Sequence, residues 1–440
     1  MADQREKFPT SAVGRLLRLG SLAGRVGASA ARESLRRTTG GDLAQGKAPS
    51  GEIRRRAEQV AEVLGTLKGV PMKIGQMLSL HEDLLPPEVA EILSSLQQDA
   101  PAVPFREIDA AIRAALGPKL SRVAEIEPEA WAAASIGQVH RGRLSDGRRV
   151  VFKVQYPGID KVISADLKNL KGPLGLLFGM FTDADLAPFW SEVGLHLHEE
   201  LDYDQEARHM DRMTELWRHD PQVRIPRVVH ELTTRHVLCM DYVKGLSAQW
   251  ACSETYSPDQ RDQWGQVLLR FVLKGLFSHR YLHADPNLAN FAFLPDGCLV
   301  VYDFGCVKRV PAKVSQAYTQ LTRAVLAEEP KDLEPLLREL GIYRLDGRPL
   351  PQDMLREYAA LLAQPFEVGR EYQFGGDDNI YTQLMDLGRK YWDIGANLNW
   401  PKDILFIDRT LAGQFGNLCR LGAAGPWRKI LMDCLAGPAV

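Results

Sequence analysis

Between His283 and Gly305 the chain reads HADPNLANFAFLPDGCLVVYDFG. Asp285 is followed five residues on by Asn290, and then by a hairpin whose second strand, Cys298 to Tyr302, delivers Asp303, Phe304 and Gly305. Two carboxylates and an amide in this order make a hard-oxygen donor set. In such a set one carboxylate would orient or deprotonate a nucleophile, the amide oxygen would hold a metal ion, and the second carboxylate would hold metal against phosphates. A bare D-F-G arises by chance. A D-x-x-x-x-N element, a gap of about a dozen residues and a strand-borne DFG in succession are strong together.

That spacing is protein-kinase-like, and such a centre needs two lobes. A chain of 440 residues supplies more than one ordinary core. The net charge of −2 conceals an asymmetry: residues 1–56 carry 12 Lys/Arg against 5 Asp/Glu, a balance of +7, which leaves −9 for the remainder. No nucleic-acid partner is expected. The six cysteines are scattered with no CxxC and no His/Cys cluster, as in a chain with free thiols in a reducing compartment. No apolar run reaches the roughly 18 residues that a membrane span needs.

Residues 1–51 read as a basic leader and linker. From Ser11 to Arg37 a helical projection sets Val13, Leu16, Leu17, Leu19, Leu22 and Val26 among Arg15, Arg18, Arg25, Arg36 and Arg37. This pattern suits a helix lying on an anionic bilayer surface. It suits an organelle transit peptide or a solvated leader as well. Residues 52–121 read as a helical extension, in which Pro71 opens a helix spelling MKIGQMLSLHEDLL. Lys73 and Gln76 share a face of that helix. Gly75 costs about 1 kcal/mol there relative to alanine, which points to a close approach of its backbone. Helices are expected over Pro87–Gln97 and Phe105–Leu116.

From residue 122 to 240 the period becomes that of strands: Glu125–Trp131, Gln138–Leu144 and, after a tight turn, Arg149–Gln155. Between the first two lies Ala132-Ala133-Ala134-Ser135-Ile136-Gly137, where a kinase carries its glycine-rich phosphate loop. Each Cβ narrows the backbone's approach to phosphate, so nucleotide is expected to sit differently here. Lys153 in VVFKV matches the lysine that meets the α- and β-phosphates. A lysine amid an apolar strand is costly unless it is paired. The following acidic stretch EELDYDQEA is read as one helix with Glu199, Asp202 and Glu206 close to one face. Glu206 is the expected partner of Lys153, with Glu200 and Asp202 towards the nucleotide or the KIGQ helix. The strand Val237–Val243 enters a hinge, with Met240 as gatekeeper and the backbones of Asp241 and Val243 set to bond adenine. Residues 241–440 form a helical lobe, starting with a long helix over Ser257–Arg280 whose apolar stripe is core. His283 is expected to hold the catalytic loop by hydrogen bonds.

The combination of KIGQ, AAASIGQVH, VVFKVQ, EELDYDQEA, HADPNLANF and DFG resembles the UbiB/AarF family of atypical protein-kinase-like proteins, in order and spacing over roughly residues 60–320. The resemblance implies an α+β, bilobal protein-kinase-like fold with an N-terminal KxGQ helical extension and a helical C-lobe. It implies that the helix of Lys73 and Gln76 folds over the active site and that Glu200 of an ExD motif pairs with Lys73. Further, Glu206 pairs with Lys153, and Asp285, Asn290 and Asp303 bind metal and nucleotide. Ala284 replaces the arginine usual before the catalytic Asp. No A-P-E element follows Gly305; Lys308 to Pro311 leads straight into helices over Ser315–Ala327, Asp332–Leu340 and Gln352–Leu362. Leu288 stands where the family often has proline.

The expected protein is thus an ATP- and Mg2+-binding ATPase, or a phosphotransferase to a small or lipid-like acceptor, in isoprenoid quinone metabolism. Anionic membrane lipid, a quinone precursor and quinone-biosynthesis proteins are its expected partners. Its place is the cytoplasm, free or peripheral on a membrane, or the mitochondrion or plastid of a eukaryote. A protein or antibiotic-type kinase and a nucleotide-gated scaffold without turnover are the alternatives.

Overall fold

The run Val150-Val151-Phe152-Lys153-Val154 is apolar on both faces, so its strand must lie inside a sheet. The computed structural model places it there. It describes residues 103–436 apart from 135, most of 162–198, 328–332, 377–378 and 396. The leader, the linker, the KIGQ helix with Lys73 and Gln76, the helix over Pro87–Gln97, Ser135 and most of the stretch after Gly158 lie outside the described residues.

In chain order the elements used below are α1 (Phe105–Leu116), β1 (Val123–Ala134), β2 (Gly137–Leu144), β3 (Arg149–Gln155), α2 (Tyr203–Trp217), β4 (Val223–Arg224), β5 (Val237–Asp241), α3 (Ala248–Ala251) and α4 (Pro258–Phe277). Then come β6 (Tyr281–His283), β7 (Phe291–Phe293), β8 (Leu299–Val301), β9 (Val307–Arg309), α5 (Ala312–Leu326), α6 (Leu333–Glu339), β10 (Tyr343–Arg344) and α7 (Gln352–Ala363). The chain closes with β11 (Tyr372–Gln373), α8 (Ile380–Lys390), α9 (Trp392–Gly395), β12 (Leu398–Asn399), α10 (Lys402–Leu421), β13 (Ala424–Gly425) and α11 (Trp427–Ala436).

The structure divides into two units, one of residues 1–203 with 231–239 and one of residues 204–230 with 240–440. In the first, the sheet runs β1-β2-β3-β5. β3 is interior and buried from Val150 onward. β1 is the edge: it is half exposed, broken by bulges and carries Pro128, which only an edge strand accommodates. Ile108, Ile112 and Leu116, one helical turn apart, are buried along α1.

In the second unit Ser257 caps α4, its side chain accepting the Gln260 N–H at 3.3 Å, and Pro258 occupies the first turn, where its missing donor costs nothing. Trp264, Val267, Leu268, Phe271 and Leu276 are buried, as the apolar stripe requires. A three-stranded sheet β4-β8-β7 and a two-stranded β6-β9 ladder lie in this unit. The helices after β9 follow the expected pattern with ends shifted by a few residues. Among the described residues no helix is long and apolar enough to cross a membrane.

Two local expectations change. Ala132, Ala133 and Ala134 are not in a loop: they extend β1 and pair with Val139, Gln138 and Gly137. Alanine's small Cβ is compatible with a strand edge, and the connection is cut to residues 135 and 136. The acidic stretch is not one helix either. Helix at Glu199 and Glu200 ends in a turn at Leu201, and α2 begins at Tyr203, so Asp202 and Glu206 do not share a helical face. The backbone there is bonded elsewhere: the Leu201 carbonyl accepts from Gln155 Nε2 at 2.9 Å, and the Tyr203 N–H donates to the Arg235 carbonyl at 3.1 Å. Those bonds take the place of the helical ladder.

Candidate active site

β6 ends at His283 and β9 begins at Val307, and the two residues are paired across the ladder. One step further the Ala284 N–H donates to the Cys306 carbonyl at 2.9 Å, which puts Asp285 at the open end of this ladder. Asp285 Oδ1 accepts the Asn287 N–H at 3.1 Å, and Asn287 Oδ1 accepts the Ala289 N–H at 3.1 Å. These turns start a single 3-10 turn, Leu288–Asn290, with Leu288 buried beneath it. Leu288 therefore serves as an apolar plug beneath the turn.

The β7–β8 hairpin supplies the rest. Phe291 pairs with Val301, and one step out the Tyr302 N–H donates to the Asn290 carbonyl at 2.9 Å. Asn290 and Asp303 thereby leave the same end of the hairpin. Asp303 is held on both sides: its carbonyl accepts from His283 Nε2 at 2.6 Å, and its Oδ1 accepts the Gly305 N–H at 2.9 Å. The segment carrying Asp303 is thus tied to the β6 end that carries Asp285.

Phe304 is fully buried and its backbone is gripped by α2. Its N–H donates to Glu206 Oε1 at 3.2 Å, and His209 Nδ1 donates to its carbonyl at 3.1 Å. Glu206 and His209 are three apart on α2 and so share a face. Glu206 emerges from the sequence; His209 does not, although that spacing was a usable signal. The Tyr302 hydroxyl donates to the Val243 carbonyl at 2.7 Å, a contact with no sequence signature, and burial pushes its pKa up to about 12.

In the first unit Lys153 is opposite Val139 in the β2–β3 ladder and is buried, with its ammonium 5.2 Å from the Tyr203 ring centroid. Gly137 has a packing reason to be glycine: a Cβ would run into the Val154 carbonyl and lie 3.2 Å from Gln155 Cα. Glu200 and Asp202 precede α2. At the hinge Met240 is buried, but the Asp241 N–H donates to the Arg227 carbonyl at 2.9 Å and the Val243 carbonyl is taken by Tyr302. This narrows the adenine-bonding groups that the sequence suggests.

The donor set fits a hard divalent cation. Asn290 and Asp303 offer amide and carboxylate oxygen, and the buried Nδ2 of Asn290, a donor with no hydrogen-bond partner among the described residues, suits an anionic oxygen such as that of a phosphate beside the cation. Among the described residues no group of three His, Cys, Asp or Glu could hold a metal. Two oxygen donors would therefore hold Mg2+ together with nucleotide phosphates and water, as Mg2+ prefers.

Comparison with known proteins agrees. The model of the ABC1 atypical kinase-like domain matches residues 95–336. The chain belongs to this family. Relatives along most of its length include the atypical kinase COQ8B, mitochondrial, of Rattus norvegicus, 31% identical over 98% of this chain and 82% of the relative. The atypical kinase COQ8, mitochondrial, of Saccharomyces cerevisiae is 28% identical over 97% and 85%. Among solved structures, the Rv3197–erythromycin complex from Mycobacterium tuberculosis matches with a TM-score of 0.66 and 27% identity, over 89% of this chain and 98% of that one. The fold is accordingly the α+β kinase-like fold of this family. Six residues separate Gly305 from Ala312, the first residue of α5, and β9 is among them, so the segment after the DFG is short in this ABC1-family chain.

Proposed function

We propose that this chain is an ATP- and Mg2+-dependent atypical kinase or ATPase. It releases the γ-phosphoryl group of ATP to water or transfers it to a small or lipid-like acceptor, in support of isoprenoid quinone metabolism at a membrane surface. The observation that carries the reading is the doubly anchored Asp303 beside the Asp285 loop, with Asn290, whose buried Nδ2 has no partner among the described residues, next to it in the hairpin. Phosphoryl transfer asks a protein mainly for positioning and charge stabilisation, and anchored oxygen donors supply that.

In this reading Asp285 orients the attacking hydroxyl or water and accepts its proton. Asn290 and Asp303 hold Mg2+, which when bound neutralises charge on the phosphates. Lys153 meets the α- and β-phosphates with Glu206 as its counter-charge, the donor to adenine is the Val243 N–H, and Met240 borders the base. Ala132, Ala133, Ala134, Ser135 and Gly137 cover the phosphates. Lys73 and Gln76 belong to the extension that restricts the acceptor, and Glu200, of the motif that includes Asp202, pairs with Lys73. The relatives' COQ8 names support the quinone pathway and the kinase class. The basic leader supports attachment to anionic lipid, in a mitochondrion or on a bacterial membrane.

Asp303→Asn is expected to abolish Mg2+-dependent ATP binding and phosphate release by the full chain. Wild-type binding and turnover in that variant would sink the assignment. The erythromycin complex of the structural neighbour favours one further reading, a macrolide-like small-molecule ligand or acceptor. Labelled phosphate appearing stoichiometrically on such a molecule would select it over water.

A further inference from the structure

A helix face buried against a core is ordinarily apolar, yet α10 buries Thr410, Gln414 and Asn417, four and three residues apart along one stripe. Thr410 satisfies its hydroxyl on its own helix, on the Phe406 carbonyl at 2.7 Å. The two carboxamides do something else. Asn417 Nδ2 donates to the Pro286 carbonyl at 2.7 Å and to Gln414 Oε1 at 3.0 Å. Both partners are acceptors, so this orientation of the Asn417 amide is the one that satisfies them, and its two N–H groups are both used. Pro286 is the residue directly after Asp285, and it lies 131 positions from Asn417 in sequence. On the same stripe Gly413 has no Cβ, and one built there would stand 2.5 Å from Pro286 Cγ and 2.6 Å from its Cβ. The pyrrolidine ring therefore seats on bare helix backbone.

We infer that α10 is the rigid back wall of the catalytic loop, with Asn417 as a positioning residue that fixes the Pro286 carbonyl directly after Asp285, Gln414 orienting Asn417, and Gly413 setting the distance. Burying two carboxamides costs free energy unless they are bonded, and a leucine at each place would pack more cheaply. What the polar pair adds is a directed bond to the carbonyl of the residue that follows Asp285. Among the described residues the loop is otherwise held by bonds to its own residues, by the β6–β9 ladder behind it and, at its far end, by the Asn290 carbonyl bonded to the Tyr302 N–H. This inference rests on Asp285 being the group that orients the nucleophile.

The test uses the full chain with Mg-ATP and reads phosphate release, affinity for a non-hydrolysable ATP analogue, and hydrogen exchange over residues 284–290. Asn417→Leu is expected to lower kcat by about 10- to 100-fold, the effect of a misplacement near 1 Å. Analogue affinity is expected to stay within about twofold, in line with a positioning role, and amide exchange in 284–290 to quicken. Gln414→Met should give a smaller change of the same kind. Gly413→Ala should repeat the kcat loss, and adding Pro286→Ala to it should recover most of it, because the ring that the new methyl strikes is gone. Unchanged kcat and unchanged exchange in both Asn417→Leu and Gly413→Ala would overturn the inference. So would a Gly413→Ala defect that Pro286→Ala fails to relieve. Should Asn417→Leu not fold, the Gly413 and Pro286 pair decides alone. Retained turnover in Asp285→Asn would instead refute the role given to Asp285, while the exchange data still report whether α10 holds the loop.

Discussion

His283 Nε2 lies 2.6 Å from the main-chain oxygen of Asp303, twenty residues further on. The acceptor is a carbonyl, so Nε2 carries the proton, and the ring is packed by Phe291 and Phe304 with centroids at 5.4 and 5.6 Å. This hydrogen bond thus fixes the tautomer and ties the segment that carries Asp285 to the one that carries Asp303. His283→Phe keeps the packing and removes the donor. It is expected to destabilise the protein by about 1–3 kcal/mol through the orphaned carbonyl and to weaken Mg-nucleotide binding. Denaturant unfolding and calorimetric titration check the pair; an unaltered affinity would show that Asp303 needs no such anchor.

Glu206 is buried and accepts the Phe304 N–H, so its shape and its charge can be tested separately. Glu206→Gln retains an acceptor and should unfold within about 1 kcal/mol of wild type, whereas Glu206→Leu should lose about 2 kcal/mol. Both should bind ATP poorly if the charge answers Lys153. Normal ATP binding by Glu206→Gln would confine this residue to structural support of the DFG segment.

Gly137 is required by contact more than by nucleotide. Its absent Cβ would collide with the Val154 carbonyl across the β2–β3 ladder. Gly137→Ala should cost about 2 kcal/mol or more of stability with no nucleotide present, because backbone must shift. Thermal melting of the ligand-free protein reads this directly, and an unshifted melt would return the glycine to a purely ligand-facing role.

Asp408 on α10 accepts the Tyr318 hydroxyl at 2.6 Å, and burial raises its pKa to about 6 despite that bond. The Tyr318 pKa is pushed well above its ordinary value, chiefly by burial and then by the neighbouring carboxylate. A carboxyl whose pKa is higher in the folded than in the unfolded protein holds its proton more tightly when folded. Its contribution is therefore full below about pH 4 and is lost as pH rises through about 6. Asp408→Asn keeps an acceptor for Tyr318 without the buried charge. Above pH 6 it should be more stable than wild type by roughly 1–3 kcal/mol, and the gap should close towards pH 4. Melting curves across pH 4–8 would show parallel wild-type and variant profiles if Asp408 titrated normally.

Much of the proposed site is written locally. The order of Lys153, Glu206, Asp285, Asn290 and Asp303, the strand that bears Lys153 and the capped α4 all follow from periodicity, capping chemistry and motif spacing, because strand alternation and turns are decided by near neighbours. Tertiary structure decided the rest. The break between Leu201 and Tyr203 exists because Gln155 and the Arg235 carbonyl take the bonds that a continuous helix would have used. The alanines became strand because Gly137, Gln138 and Val139 offered them a ladder. Asn417 reached the Asp285 loop across 131 residues, a partnership that no local pattern encodes. A backbone donor or acceptor bonds whichever partner the fold brings within about 3 Å, and that choice belongs to three dimensions.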